Sequence, residues 1–206
     1  AQVIASRVND WDVIGFGSGS TSYLTAIAIA DRVQRENLHI TAIPTSYEME
    51  MLCTYLEIPT SKITDKKPDW CFDGADEVDH DNWMIKGRGA AMFNEKLNIK
   101  NARKTYILVD ESKIVPKLGI KFPVPIEIMP QSINYVKQEL FNMGVSEMNL
   151  RMALKIDGPV ITQNGNLILD VKFNNIDQFM EKKLKEITGV VETGLFIGYN
   201  VEIVKA

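Results

Sequence analysis

The sequence predicts an α/β fold: a mostly parallel sheet with helices on both faces, accompanied by a smaller α+β part. In the first half of the chain, short β-branched and apolar runs alternate with helix-length stretches, which is the pattern of parallel βα units. After Pro116 this alternation stops and a different mixture of strand and helix patterns follows. The change of pattern predicts two closely packed parts.

The first part opens with a strand at residues 12–15, which runs into a glycine-rich turn and a helix at 21–33. The next strand, at 38–43, is stopped by Pro44, and Ser46 is the expected N-cap of a helix that runs through Glu57. Further elements complete the βα pattern: strands at 69–72 and 105–109, and a helix at 90–100.

The second part is expected to begin with residues 124–129 as an edge strand, because prolines interrupt it. Asn164-Gly165 is a typical two-residue turn and predicts a hairpin over 160–171. The remaining elements are helices at 132–141 and 177–187, and strands near 194–197 and 201–204 that return to the first sheet. We therefore predict a Rossmann-like catalytic domain, residues 1–122 with 196–206, and a ferredoxin-like α+β domain, residues 123–195.

Composition excludes several classes of function. Lys and Arg number 23 against 27 Asp and Glu, a net charge of −4 that does not favour nucleic-acid binding. The apolar runs are shorter than the roughly 20 residues that a membrane-spanning helix needs. Residues 1–7 show no charged stretch followed by an apolar core, so we expect no secretory signal. Cys53 and Cys71 lie in apolar settings typical of reduced core thiols. We expect a cytoplasmic protein without nucleic-acid or membrane partners.

The first candidate motif is Gly-Phe-Gly-Ser-Gly-Ser-Thr at residues 15–21, between a strand and a helix. Backbone N–H groups, a helix N-terminus and the hydroxyls of Ser18, Ser20 and Thr21 together suit a phosphate. Ser20 stands where a P-loop has lysine and where a dinucleotide fingerprint has glycine, so a nucleotide is not indicated. A purely structural turn with a helix cap explains the motif equally well.

A second motif, Asp73-Gly74-Ala75-Asp76, follows a buried strand, where α/β proteins place their sites. Its two carboxylates can bind sugar hydroxyls or transfer protons. Glu77, Asp79 and Asp81 are expected to be solvated. The run lacks the spacing of a calcium-binding EF-hand loop, and we expect no metal site.

The third motif joins Lys86-Gly87-Arg88-Gly89 to Glu95 in the following helix. A cation and backbone N–H groups opposite a carboxylate would serve enolisation, since the carboxylate removes a proton and the donors stabilise the oxyanion. On spacing alone, however, Glu95 and Lys96 look like ordinary surface residues of a helix. Lys113 follows a strand and could reach a phosphate, although a lone lysine there is more often simply exposed.

Taken in order, these motifs resemble type A ribose-5-phosphate isomerases over nearly the whole chain. The matching segments are residues 15–21, 43–46, 73–77, 85–91, 94–96, 109–113, 123–127, 150–151, 158–166 and 189–196. Three positions depart from the family pattern. Ser18 replaces threonine, Arg88 interrupts a run of glycines, and the N-terminal lysine of the family has no match.

The resemblance implies that ribose 5-phosphate and ribulose 5-phosphate interconvert through an enediolate, without metal or organic cofactor. It implies that Glu95 is the base, and that Asp73, Asp76 and Lys86 bind hydroxyls, assist ring opening and stabilise the intermediate. It further implies a homodimer or homotetramer. The implied substrate-binding set is Ser18, Gly19, Ser20, Thr21, Asp73, Gly74, Ala75, Asp76, Lys86, Gly87, Arg88, Gly89 and Lys113.

Two alternatives remain open at the level of sequence. The chain could be an isomerase of another phosphosugar, with Arg88 altering the preference. It could also be a module that senses sugar phosphates without catalysis, although the full set of candidate catalytic residues argues against this.

Overall fold

The computed structural model describes residues 1–145, 147–155 and 157–205, and within them the chain forms two compact units. The first unit comprises Ala1–Gly74, Asn94–Glu111 and the described residues from Asn200 onward. The second comprises Ala75–Phe93 and the described residues of Ser112–Tyr199. The helices are α1 (Gln2–Ala5), α2 (Ser20–Glu36), α3 (Tyr47–Tyr55), α4 (Met92–Asn101), α5 (Ile133–Asn142) and α6 (Met180–Lys185). The strands are β1 (Val13–Phe16), β2 (Thr41–Pro44), β3 (Trp70–Gly74), β4 (Glu77–Val78), β5 (Met84–Ile85), β6 (Lys104–Val109), β7 (Val124–Ile128), β8 (Glu147–Leu150), β9 (Leu167–Lys172), β10 (Val190–Thr193), β11 (Leu195–Phe196) and β12 (Glu202–Lys205).

The first unit is built on a five-stranded parallel sheet in the order β12-β6-β3-β1-β2. Its inner strands are apolar and buried along almost their whole length, as parallel strands covered by helices are. The core joins side chains of the sheet, such as Phe16 and Phe72, to Ile29 of α2 and Met49 of α3. The predicted parallel α/β sheet is confirmed, including the return of the last strand, which pairs with β6.

The second unit contains the succession β7-α5-β8-β9-α6-β10. The strands form an antiparallel sheet in the order β10-β7-β9-β8, which is the ferredoxin-like arrangement. The helices α5 and α6 contribute Val136, Leu140 and Leu184 to a core with Ile126 and Leu169. A second, three-stranded sheet in the order β11-β5-β4 carries the start of the Lys86 loop.

Three local predictions are wrong. Strand β7 lies inside its sheet and not at an edge; Pro125 is accommodated just beyond the stretch, Ile126–Ile128, that pairs with β10. The turn around Gly165 exists, but β9 pairs with β7 and β8 and not with residues 160–162. Strand β11 pairs with β5 and not with the first sheet.

Each of these errors concerns which strand pairs with which. That choice depends on contacts between distant segments, which local patterns do not contain. The sequence does not predict strands β4, β5, β8 and β10, which are short or polar. Over the residues that the structure describes, no helix is both long and apolar enough to cross a bilayer.

Candidate active site

Asp73 lies near the carboxyl end of β3 in the first unit, and only 2 % of its surface is exposed. Its Oδ1 accepts hydrogen bonds from the backbone N–H of Gly74 at 2.8 Å and of Ser18 at 3.2 Å, and from the Ser22 hydroxyl at 3.4 Å. A Cβ atom on Gly17 would lie 2.2 Å from Asp73 Cγ, so that position must be glycine. The predicted glycine-rich loop and the predicted acidic loop are therefore in direct contact.

Ser18 joins the ends of β1 and β2 through hydroxyl groups. Its Oγ lies 2.7 Å from Thr45 Oγ1 and donates to Ser46 Oγ at 2.7 Å. Thr45 Oγ1 in turn donates to the Phe16 carbonyl at 3.1 Å, and Ser46 Oγ accepts from the N–H of Met49 at 3.2 Å. The predicted N-cap role of Ser46 is thus confirmed, and Thr45 and Ser46 also fix the Ser18 hydroxyl, a role that sequence reasoning missed.

The N-terminus of α2 follows directly. Gly19 precedes the helix with a φ of 90°, a left-handed value that favours glycine. Ser20 and Thr21 form the first helical residues, and Ser20 is exposed. The first N–H groups of a helix have no carbonyl partner within it, and the helix dipole favours an anion there. The predicted phosphate-binding residues therefore occupy a helix N-terminus with the required chemistry.

Glu95 lies in the first turn of α4 and is 4 % exposed, so the reading as a surface glutamate is wrong. The amides of Asn94 and Asn98 donate to the carbonyls of Thr45, at 3.1 Å, and Ile43, at 2.9 Å, and so attach the helix to the end of β2. Lys96 is buried as well, which corrects the expectation that it is solvated. No local sequence signal marks this burial; it results from the packing of α4 on the sheet.

The second unit carries Lys86, directly after β5. Its side chain is buried, its N–H donates to the Gly194 carbonyl at 2.9 Å, and its Nζ lies 5.6 Å from the centre of the Phe196 ring. Gly87 has a φ of 102°, and a Cβ atom there would lie 2.8 Å from Met92 Cε. The loop after Lys86 can therefore turn only because glycine stands at position 87.

Asp76, half-buried, faces this same loop. Its N–H donates to the Ile85 carbonyl at 2.8 Å, and its Oδ2 accepts the backbone N–H of Arg88 at 3.2 Å. Arg88 and Gly89 are exposed, whereas Gly74 and Ala75 are half-buried. The second unit thus brings together Asp76, Lys86 and the predicted loop Gly87–Gly89.

Lys113 ends a short 3-10 helix, Glu111–Lys113, and its Nζ lies 5.1 Å from the centre of the Phe122 ring. The side chain is half-buried. An ammonium group over an aromatic face is held by the ring quadrupole and keeps hydrogen atoms free to point elsewhere. Such a lysine can serve as an anion contact.

The rest of the acidic run is structural. Glu77 is fully buried and accepts the backbone N–H groups of Gly119 at 2.6 Å, Lys121 at 2.5 Å and Phe122 at 2.8 Å. Asp79 Oδ1 accepts from the N–H groups of Asp81 and Trp83, and burial raises the pKa of the Asp79 carboxyl. The expectation of solvated side chains is therefore wrong for both, and is confirmed for Asp81, which is exposed.

The chain was compared with known protein families and with proteins of known sequence. The sequence profile described as Ribose 5-phosphate isomerase A (phosphoriboisomerase A) matches residues 41–206. The chain belongs to this family. The ribose-5-phosphate isomerase A of Methanocaldococcus jannaschii is 44% identical over 199 residues, which cover 95% of this chain and 87% of that protein. The corresponding protein of a Synechococcus species is 43% identical over 202 residues, covering 96% and 87%.

Solved structures of the ribose-5-phosphate isomerase A family share the fold. The structure from Methanocaldococcus jannaschii has a TM-score of 0.94 at 40% identity, and covers 99% of this chain and 91% of its own. A D-ribose-5-phosphate isomerase in complex with phospho-erythronic acid has a TM-score of 0.93 at 38% identity, covering 99% and 92%. Within the described residues of this chain, no three His, Cys, Asp or Glu side chains group as a metal site would require.

Proposed function

We propose that this chain interconverts D-ribose 5-phosphate and D-ribulose 5-phosphate through an enediolate, with Glu95 as the base. The observation that carries the proposal is the position of Glu95, a carboxylate removed from solvent in the first turn of a helix, in a chain of this family. Removing a carboxylate from water costs free energy, and strongly buried carboxylates are therefore frequent at functional sites. Transfer of a proton next to a carbonyl is a task for such a carboxylate.

The reaction moves one proton between two carbons. In the open-chain aldose, Glu95 removes the C2 proton, and the electron pair of that bond forms the C1–C2 double bond of an enediolate. The electrons of the former C1 carbonyl bond are taken up by O1, and the proton of the O2 hydroxyl passes to O1. Protonation of C1 by the same carboxyl group then leaves a hydroxyl on C1 and a carbonyl at C2, which is the ketose. One group suffices for both steps because the two carbons are adjacent, and general acid–base catalysis of this kind contributes about 10²- to 10⁴-fold.

The sugar oxygens need fixed donors and acceptors during this transfer. We assign Lys86 to the oxyanion, because its buried ammonium would stabilise developing negative charge in a poorly solvated place. We assign Asp73 and Asp76 to the sugar hydroxyls and to ring opening, since each carboxylate is oriented by backbone N–H groups. The backbone of Gly74, Ala75, Gly87, Arg88 and Gly89 completes this half of the substrate-binding set.

The phosphate is assigned to the N-terminus of α2. Gly19, Ser20 and Thr21 supply backbone N–H groups and hydroxyls, and Ser18 is fixed beside them by Thr45 and Ser46. Lys113 is assigned to the phosphate only because the family resemblance implies it. Phospho-erythronic acid, the compound bound in the related structure, carries a carboxylate and a phosphate ester. An enediolate of a pentose phosphate would present a similar planar oxygen pair and a phosphate, so this compound is a suitable competitive probe.

Three further properties belong to the proposal. The reaction as written needs no metal and no organic cofactor, and activity should survive prolonged treatment with a chelator. We propose a homodimer or homotetramer, which light scattering during size-exclusion chromatography measures. We propose a cytoplasmic location, where the phosphorylated pentoses of the non-oxidative pentose phosphate pathway are found.

The decisive experiment compares Glu95→Gln with the native chain in deuterium oxide. We expect the native chain to incorporate deuterium at C2 of ribose 5-phosphate, and the variant to lose exchange and turnover by about 10²- to 10⁴-fold. Glu48→Gln is the matched control, because Glu48 also lies in the first turn of a helix but is exposed. Undiminished exchange in Glu95→Gln would remove Glu95 as the base.

Arg88 supports a second candidate function, the isomerisation of another phosphosugar. Its side chain is exposed at the loop whose backbone contacts Asp76, so it adds a positive charge beside the proposed sugar-binding residues. Measuring kcat/KM of the native chain and of Arg88→Gly with ribose 5-phosphate, arabinose 5-phosphate and a hexose 6-phosphate separates the two readings. A native preference for a compound other than ribose 5-phosphate would support the alternative, and binding without any turnover would support a sensing module.

A further inference from the structure

The guanidinium group of Arg151 makes a set of contacts that the proposed function does not use. Its Nε donates to Asp170 Oδ2 at 2.8 Å, and its Nη2 donates to Oδ1 of the same carboxylate. Its Nη1 donates to two backbone carbonyls of the Lys86 loop, that of Gly87 at 2.9 Å and that of Arg88 at 3.0 Å. Four N–H bonds of one guanidinium are thereby engaged, and all of these partners lie in the second unit.

Arg151 is itself firmly placed. Its backbone N–H donates to the Ile168 carbonyl at 2.9 Å, and its carbonyl accepts from the N–H of Val160 at 2.9 Å. Asp170 lies on β9, so the ion pair fixes the guanidinium against the ferredoxin-like sheet. The side chains of Arg151 and Asp170 are 16% and 22% exposed, so solvent screens the pair only in part.

The consequence follows from the planarity of the peptide bond. The carbonyl of Gly87 and the N–H of Arg88 belong to one trans peptide unit and point in opposite directions. The carbonyl accepts from Arg151, while the N–H donates to Asp76 Oδ2 at 3.2 Å. One peptide unit therefore connects the guanidinium on one side with the Asp76 carboxylate on the other.

We propose that Arg151 is a positioning residue for the isomerase reaction, which orients the Gly87–Arg88 peptide and, through it, the Asp76 carboxylate. The inference rests on the proposed function for the role of Asp76. The second contact, to the Arg88 carbonyl, fixes the next peptide unit in the same way, so that the Gly89 N–H points away from Arg151. Glycine at 87 lets the loop adopt this path, and Arg151 selects one orientation of its peptides.

Lysine could not replace arginine here. A guanidinium offers a rigid planar fork that serves a carboxylate with two N–H groups while others point to carbonyls, whereas an ammonium is a compact point charge. Arg151→Lys keeps the charge beside Asp170 and removes the geometry. We expect kcat for ribose 5-phosphate to fall by about 10- to 100-fold, the range expected when a reacting group is misplaced by about 1 Å. KM should change less than about threefold, because the proposed phosphate contacts lie elsewhere in the chain.

The matched control is Lys172→Met. Lys172 lies on the same strand as Asp170, and its Nζ pairs at 2.7 Å with Glu147 of β8, but the pair is largely exposed. This variant removes a cation from the same sheet and should leave kcat and KM unchanged. Thermal unfolding of both variants measures folding separately, so a loss of activity that merely follows a loss of folded protein would count against the proposal.

Chemical rescue of activity by free guanidinium is a result that a purely structural role of Arg151 would not produce. Guanidinium chloride at about 50 mM, far below the concentrations that unfold proteins, is expected to restore the activity of Arg151→Ala at least fivefold. Equal concentrations of sodium chloride, or guanidinium added to Lys172→Met, should have no such effect. Absence of rescue together with an unchanged kcat in a folded Arg151→Lys would overturn the proposal.

Amide hydrogen exchange separates this inference from the proposed function. Peptides that contain residues 86–90 should exchange faster in Arg151→Lys than in the native chain and in Lys172→Met. If the native chain fails to isomerise ribose 5-phosphate, the proposed function fails, and unchanged exchange in the loop would independently refute the orienting contact. If the native chain is active and the loop is loosened without a change in kcat, only the positioning role is refuted.

Discussion

At the scale of single residues, burial and backbone donors decide what each carboxylate of the acidic segment can do. Glu77 has its two oxygens occupied by backbone N–H groups, and Asp79 closes its own turn, so neither is available to a ligand. Asp76 receives one N–H and is only half-buried, which leaves it able to bind a hydroxyl. Within this run, the carboxylates of Glu77 and Asp79 thus hold the chain, whereas Asp76 is the one that we propose as a substrate contact.

Burial also determines the reactivity of the Cys53 thiol. Cys53 lies in the core of the first unit, where removal from water, with a smaller effect of Glu50, raises the pKa of its thiol to about 12. Because the thiolate is the reactive form, native Cys53 should not react with iodoacetamide at pH 8 within an hour. Peptide mapping by mass spectrometry should find it fully alkylated only after unfolding in guanidinium chloride. Rapid labelling of Cys53 in the native chain would show that this core opens.

Sequence patterns located several candidate site residues because a strand end or a helix cap has a local signature. Asp73 follows an apolar strand, Gly19 precedes a helix, and Ser46 begins one, and each of these signals is confirmed. Glu95 gave no such signal, since its burial depends on how α4 packs against the sheet. Arg151 gave none either, because its carbonyl partners lie more than sixty positions away in the chain.

At the scale of elements, Glu77 attaches the segment around Gly119–Phe122 to strand β4. Replacing it by glutamine keeps the volume but leaves one carbonyl oxygen for three backbone donors, and turns an NH₂ group toward an N–H. We expect Glu77→Gln to lower the free energy of unfolding by about 2 kcal/mol, the cost of leaving buried donors unsatisfied. Urea denaturation followed by circular dichroism measures it.

Asp81→Asn is the control for this element. Asp81 belongs to the same acidic run but is exposed, so its substitution should leave the urea midpoint almost unchanged. Equal stability of Glu77→Gln and the native chain would mean that the segment is held by its other contacts. A matching loss in both variants would point to the net charge of the run instead of the hydrogen bonds of Glu77.

The elements that sequence patterns predicted best are those whose pattern is local. The alternation of buried strands and helices in the first unit was predicted with boundaries that differ by a few residues, because apolar strands and capped helices are set by near neighbours. The pairing of β7, β9 and β11 was not, because proline and a turn sequence limit a strand without choosing its partners.

At the scale of the whole molecule, the chain alternates between the two units. After β3 it enters the second unit for residues 75–93, returns to the first for residues 94–111, which include β6, and enters the second again for the described residues of 112–199. It then completes the parallel sheet of the first unit with β12. Strand β12 covers the edge of β6, whose residues are almost all buried. Its first residue, Glu202, pairs with Lys104 at 2.7 Å and with Arg7 at 3.0 Å. The first unit is therefore complete only when its last strand is in place.

A truncation before Asn200 tests this dependence. Without β12, the apolar strand β6 becomes the edge of the sheet, and its unpaired backbone groups and exposed side chains can recruit other chains. Ile203 and Val204 are half-buried, so the lost burial amounts to about 3 kcal/mol, which corresponds to a Tm lower by about 6–12 °C in a chain of this size. Scanning calorimetry and size-exclusion chromatography would measure the lower Tm and the association. Glu202→Gln keeps the strand and removes only the exposed ion pairs, so it should shift the Tm far less; if it shifts the Tm as much as the truncation does, the ion pairs and not the strand stabilise this edge.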